Sequence, residues 1–306
     1  MSNQHLSPFK ENSSEKIQAT DIPQEAFDWY DEYAHGDIDR RTFLKRLTTL
    51  GIGMAAITNA LMPDYALAEQ VSFNDPDIKA TFLTFPSPQG HGEGKGYFVQ
   101  PKNATSTTPV VMVVHENRGL NPYIKDVARR LAKAGYTAYA PDILHTLGGY
   151  PGNDDEGKAM QKSMDKQKVE NDFIAAAKFL KNHSTSNGKL GVVGFCFGGY
   201  ISNMLAATLP DDINAAVPFY GTPAKDTIVG NIKGPIMLQF AEMDKRVNAT
   251  WPAYEALLKS KNIDFTANIY PATNHGFHND STSRYNPEAA ELAWNRTLDF
   301  FKQHIG

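Results

Sequence analysis

Continuous apolar runs alternate along the chain with stretches of helical periodicity. Residues 109–114, Pro-Val-Val-Met-Val-Val, carry no polar side chain, the pattern of a central strand buried on both faces. Residues 136–140, 189–193, 215–221, 235–241 and 265–270 read as further strands. Residues 122–134 read as an amphipathic helix, with Val127, Leu131 and Ala134 on one face and Lys125, Arg129, Arg130 and Lys133 outside; Gly135 ends it. Residues 165–180, 200–207 and 287–303 are the other periodic segments. Ser186-Asn187-Gly188 reads as a turn, and residues 148–157 as the most loop-like internal stretch. Strands alternating with helices predict an α/β fold, a mostly parallel central sheet flanked by helices.

The chemistry concentrates where the 189–193 strand meets the helix at 200. The junction reads Gly194-Phe195-Cys196-Phe197-Gly198-Gly199, and Cys196 is the only cysteine among 306 residues. A strand, a Gly-x-nucleophile-x-Gly turn and a helix expose a nucleophile at the edge of a sheet. The helix N-terminus favours a thiolate, and its backbone N–H groups suit an oxyanion. Glycines are expected there because side chains would collide with the neighbouring strand and helix, and because some backbone angles suit glycine best. A lone cysteine excludes a disulfide within the chain, and no histidine pair with ligand spacing surrounds it to suggest zinc.

A thiol nucleophile needs a base, and the base an orienting acid. Asp244 follows the 235–241 strand, with Glu242 as a rival; His275 follows the 265–270 strand, with His278 nearby. Both lie in loops beyond strand ends, where α/β sheets place their chemistry, and the order nucleophile, acid, histidine is that of the α/β-hydrolases.

With these residues assembled, the chain from 71 to 304 resembles the dienelactone hydrolase family. The resemblance rests on His115-Glu116-Asn117-Arg118-Gly119 with Asn121, Gly135-Tyr136, Ala140-Pro141-Asp142, the Cys196 elbow, Tyr220-Gly221, Asp244 and His275-Gly276-Phe277. It implies an α/β-hydrolase fold over residues 71–306 and a triad of Cys196, Asp244 and His275. It also implies an oxyanion hole from the backbone N–H groups of Asn117 and Phe197. Glu116 matches a glutamate that contacts the nucleophile and helps control its ionisation. The family's two carboxylate-binding arginines are missing: the corresponding stretches read Ile143-Leu144-His145-Thr146 and His278-Asn279-Asp280. Arg118, Tyr220, His278 and Arg284 are the remaining candidate substrate contacts. The activity expected is hydrolysis of small esters or lactones through an acyl-enzyme, with no cofactor or metal. The alternatives are a thioesterase or peptidase, or a non-catalytic binding protein on a hydrolase scaffold.

Residues 1–70 form a separate leader. Asp39-Arg40-Arg41-Thr42-Phe43-Leu44-Lys45 resembles a twin-arginine export motif, followed by a weakly apolar stretch, 47–62, and a small-x-small site, Ala66-Leu67-Ala68, before Glu69. Export to the periplasm is the expectation. The competing one is an uncleaved cytoplasmic extension, since residues 25–34 place aromatic side chains at helical spacing. The apolar stretch is too short and too weak for a membrane span. Residues 1–68 hold 6 Lys+Arg against 10 Asp+Glu, which accounts for the whole net charge of −4. The remainder is neutral, which argues against nucleic acid or an anionic membrane as partner. The sequence sets no oligomeric state.

Overall fold

The computed structural model describes residues 22–50, 61, 63–65 and 68–306. Residues 51–60, 62, 66 and 67, which hold most of the apolar stretch and part of the expected cleavage site, lie outside the described residues. The chain forms two compact units, Met1–Met62 and Pro63–Gly306.

In the first unit, α1 (Gln24–His35) and α2 (Arg40–Leu47) form a helical hairpin. Gly36, at φ 83°, takes the left-handed conformation that closes α1, and the Asp39 side chain caps α2 by accepting from Thr42 N–H at 2.7 Å. The aromatic positions at helical spacing converge: Tyr33 stacks on Phe43 at 5.0 Å, and Tyr30 meets both rings edge-on. The twin arginines are thus the first residues of a helix whose Phe43 and Leu47 are fully buried.

The second unit is built on an eight-stranded sheet. Its strands are β1 (Ile78–Ser87), β2 (Gly92–Pro101), β3 (Thr108–Val114), β4 (Thr137–Asp142), β5 (Ser186–Phe195), β6 (Ile213–Phe219), β7 (Ile236–Ala241) and β8 (Phe265–Tyr270). The spatial order is β1-β2-β4-β3-β5-β6-β7-β8; β2 runs antiparallel to β1 and β4, and the strands from β4 to β8 are parallel. Its larger helices are α3 (Pro122–Lys133), α4 (Asp154–Ser163), α5 (Lys166–Lys181), α6 (Phe197–Thr208), α9 (Trp251–Ser260) and α10 (Pro287–His304); two single turns, α7 (Asp226–Val229) and α8 (Lys245–Asn248), lie between α6 and α9.

Strand β3 shows why the apolar run had to be continuous. Val110, Met112 and Val114 enter a core with α5, α6 and α9, while Val111 and Val113 enter one with α3 and α10. All five are fully buried, and each contributes roughly 1.5–3 kcal/mol relative to exposure.

The β1–β2 hairpin, α4 and α9 add to the expected elements; α4 begins inside the stretch read as a loop. The 186–188 turn is instead the start of β5, where Gly188 at φ +82° lies within a register irregularity against β3. The outer face of α3 also differs from expectation. Ala134 is exposed, whereas Arg129 is buried and Arg130 half-buried, because both pair with the fully buried Asp126 at 3.1 and 2.5 Å. Arg130 reaches on to Asp280, and Val71 is tied into the same cluster through its N–H to Asp126 (2.9 Å) and its carbonyl to Arg129. Charge on a helix face here anchors the segment before β1 and the loop after β8.

Candidate active site

Strand β5 ends at Phe195, and the chain turns into α6 at Cys196. Cys196 itself bears the strained geometry, with φ 57° and ψ −112°. The elbow glycines do not adopt positive φ; they are needed for space. A Cβ on Gly194 would lie 2.0 Å from Gly198 O, one on Gly198 2.2 Å from Val114 O, and one on Gly199 2.6 Å from Phe219 O. Of the two reasons expected for glycine, only the collision holds. This close approach presses the first turn of α6 onto the ends of β3 and β6.

The loops after β7 and β8 are joined to each other. Met243 N–H donates to Thr273 O at 2.9 Å, and Glu242 N–H to Tyr270 O at 3.1 Å. From the first loop, Asp244 caps α8, Oδ1 accepting from Val247 N–H at 3.0 Å, and its Oδ2 lies 2.5 Å from His275 Nδ1. Both residues are buried. A ring nitrogen of His275 lies within 4.8 Å of Cys196 Sγ. Glu242, the rival acid, is exposed and accepts from Ala272 N–H at 2.8 Å. His278, the rival base and a candidate substrate contact, belongs to the core. Its ring stacks on Phe195 at 5.3 Å, its Nδ1 pairs with Tyr123 Oη at 2.7 Å, and burial pulls its pKa down to about 3. It is a buried, neutral ring packed among core aromatics.

The loop after β3 brings the remaining candidates. His115 is fully buried, and burial lowers its pKa to about 4. Its Nδ1 lies 2.5 Å from Glu116 O and its Nε2 accepts from Ile143 N–H at 3.4 Å, so the neutral ring carries its proton on Nδ1 and braces the loop. Glu116 is buried, and its pKa is raised, by burial first and by the nearby Cys196 among other charges; Arg118 and Arg284 oppose the rise. Asn117 follows in this loop, and Phe197 opens α6 directly after the thiol, so the two expected oxyanion donors stand at the ends of adjacent strands β3 and β5. Arg118 pairs with Asp154 at 2.6 Å, and that carboxylate also accepts from Tyr65 and Tyr150 hydroxyls at 2.7 Å each.

Two candidate contacts lie beside His275 and its neighbour Gly276. The Tyr220 ring, at φ 37° after β6, lies 4.9 Å from the His275 ring, and burial raises its phenol well above the usual range. Arg284 lies across Gly276, its Nη2 3.0 Å from where a Cβ would be. Sequence reasoning missed Asn279, whose Nδ2 donates to Glu116 Oε2 at 3.0 Å, and Asp154; neither stands in a recognisable spacing. Among the described residues, no helix is long and apolar enough to cross a membrane.

The sequence matches the dienelactone hydrolase family over residues 95–305, and a second family, described as YqhI-like, over residues 14–50. Three similar proteins carry provisional names. A hydrolase fragment of Escherichia coli (strain K12), YghX, is 61% identical over 110 residues, covering 36% of this chain and 94% of its own length. A carboxymethylenebutenolidase of Aquifex aeolicus (strain VF5) is 36% identical, covering 69% of this chain and 94% of its own. The crystal structure of a dienelactone hydrolase from Klebsiella pneumoniae subsp. pneumoniae superposes with a TM-score of 0.65 at 26% identity, over 74% of this chain and all of that one.

Proposed function

The chain belongs to the dienelactone hydrolase family of ester-bond hydrolases, and from that premise we propose that it cleaves small esters or lactones through an acyl-enzyme on Cys196. The observation that carries this reading is the buried 2.5 Å contact of Asp244 with His275, whose ring stands within 4.8 Å of Cys196 Sγ. In the proposed cycle His275 takes the thiol proton as Sγ attacks the substrate carbonyl. The N–H groups of Asn117 and Phe197 receive the oxyanion. The leaving alkoxide takes the proton from His275, leaving a thioester. His275 then draws a proton from water, which attacks the thioester and frees the acid and the thiol. Tyr220 and Arg284 are the side chains we assign to the substrate, since Arg118 is engaged by Asp154 and His278 by the core. The scheme draws on no cofactor.

The test is turnover of p-nitrophenyl esters, lactones and dienelactones by the full-length protein and by Cys196→Ala. Activity should fall by ~10³-fold or more in the variant while its circular dichroism is kept. Near-parental turnover in a folded Cys196→Ala protein sinks the mechanism. Cys196→Ser should rescue little, because a hydroxyl is far harder to ionise than a thiol.

For localisation we propose twin-arginine export with processing before Glu69, on the strength of the Arg40-Arg41 pair and the Ala66-Leu67-Ala68 site. A specific observation favours the second reading, an uncleaved extension: the arginines open a capped helix in a hairpin with its own aromatic cluster. Intact-mass measurement on fractionated cells decides. A periplasmic species starting at Glu69 supports export, and full-length cytoplasmic protein as the sole product removes it.

A further inference from the structure

Asn279 is fully buried and donates from Nδ2 to Glu116 Oε2 at 3.0 Å. The other end of the same amide is fixed, since Oδ1 accepts from the Ser281 backbone N–H at 3.1 Å and from the Ser281 hydroxyl at 2.6 Å. An amide whose oxygen is held by two donors can present only N–H to the carboxyl; a flip would break these bonds and set donors against donors. Its backbone is anchored as well, the Asn279 N–H donating to Gly276 O at 2.9 Å, one residue past His275. Asn279 therefore links the loop of the base to the carboxyl that stands near the thiol.

We propose that Asn279 is a positioning residue: oriented by Ser281, its amide holds the Glu116 carboxylate in place near Cys196 and so governs how readily the thiol loses its proton. This rests on the reading of Cys196 as nucleophile. An N–H donated to a carboxylate favours its charged form, and a negative charge near the sulfur disfavours the thiolate. The remaining charges around Glu116 are Arg118 and Arg284, which favour its ionisation, and Asp154, which together with burial opposes it. The phenols of Tyr65, Tyr123 and Tyr220 also feel Glu116, and all three are kept neutral by burial. Asn279 is a neutral member of this set, so it fixes the carboxyl's place while leaving its charge able to respond to the thiol.

Because Cys196 is the only cysteine, iodoacetamide alkylation of the full-length protein reports on it alone. The alkylation rate is measured against pH for the parent, Asn279→Ala, Ser281→Ala, Glu116→Gln and the Glu116→Gln/Asn279→Ala double variant. Losing the amide favours the neutral Glu116, so Asn279→Ala should move the alkylation profile to lower pH by about 1 unit. Ser281→Ala should move it the same way by less, and it carries the test if Asn279→Ala does not fold. Glu116→Gln should move it in the same direction and make the Asn279 change silent. An unmoved profile in folded variants overturns the proposal. So does an equal shift with and without Glu116, since Asn279 would then act by some other route. Ester turnover by Cys196→Ala is a separate readout: if it persists, the hydrolase reading fails while the alkylation result on Asn279 still stands.

Discussion

Asp244→Asn tests the proposed triad through a competition visible in the structure. The carboxylate serves, among its partners, two donors on different oxygens, Val247 N–H at Oδ1 (3.0 Å) and the His275 ring at Oδ2 (2.5 Å). An asparagine has only one acceptor oxygen to serve both. If the oxygen stays with Val247, the amide NH₂ faces His275 Nδ1 and forces the ring proton onto Nε2, leaving no acceptor for the thiol. If the oxygen turns to His275, a buried N–H at Val247 goes unsatisfied, at a cost of about 1–3 kcal/mol. That cost alone reduces the competent population by roughly 5- to 150-fold, since 1.4 kcal/mol is a factor of ten. The lost charge, which would stabilise the imidazolium, multiplies the deficit. We expect kcat/KM to fall by ~10² to 10⁴-fold, most of it in kcat, because the effect arises in the transition state. The swap is nearly isosteric, so the fold should survive. Asp244→Ala should lose as much activity, with a further ~0.5–2 kcal/mol of stability from the lost cap. The assay is steady-state ester hydrolysis beside a denaturant titration. A folded Asp244→Asn protein within fivefold of parental kcat/KM would refute the orienting role.

Gly198→Ala should be strongly destabilising, by ~3 kcal/mol or more, because its Cβ would stand 2.2 Å from the Val114 carbonyl and backbone cannot step aside; chemical denaturation measures it, and a change under 1 kcal/mol contradicts the crowding argument. His275→Ala should remove turnover as thoroughly as Cys196→Ala, whereas folded His278→Phe should keep most of it while losing some stability; the opposite pattern in ester assays would reassign the base. His115 and His278 are held neutral by burial, with pKa values of about 4 and about 3, while the unfolded chain takes up both protons near pH 6.5. Their contribution is therefore full above about pH 6.5 and declines toward pH 4, each at on the order of 1 kcal/mol per pH unit. Denaturant midpoints across this range check it, and His278→Phe should flatten the slope; an unchanged slope would show that this histidine does not carry the acid sensitivity.

Much of the site could be read along the chain because its constraints are local. The glycine spacing around the thiol is visible in six consecutive residues, although what makes Gly198 and Gly199 necessary is the backbone of β3 and β6 packed against them. The loop with Asp244 follows β7, buried along its whole length, and that with His275 follows β8, an edge strand in which only Tyr270 is buried but whose Phe265, Ile269 and Tyr270 still mark a strand. Other features were less legible. The β1–β2 hairpin is an antiparallel addition at the sheet edge with half-exposed faces, so it lacks the unbroken apolar signature of β3. Helices α4 and α9 are ten residues long and bury few side chains, Gly157 in the one and Tyr254 and Leu258 in the other. Arg129 and Arg130 looked like a solvated face only because Asp126, on their own helix, and Asp280, far along the chain, were not yet paired with them.

The sequence by itself determined the α/β class, the succession of the parallel strands and most of their helices along the chain, and the position of the one thiol at a strand-to-helix turn. Periodicity, glycine spacing and a unique residue are properties of short segments. Only the tertiary structure decided which histidine is buried core and which meets an acid. It also decided that Arg118 belongs to Asp154, and that Asn279, 163 positions from Glu116, shares a hydrogen bond with it. Those outcomes depend on which groups are brought together once burial removes water, because a polar side chain cut off from solvent must take its partner from whatever the fold places beside it.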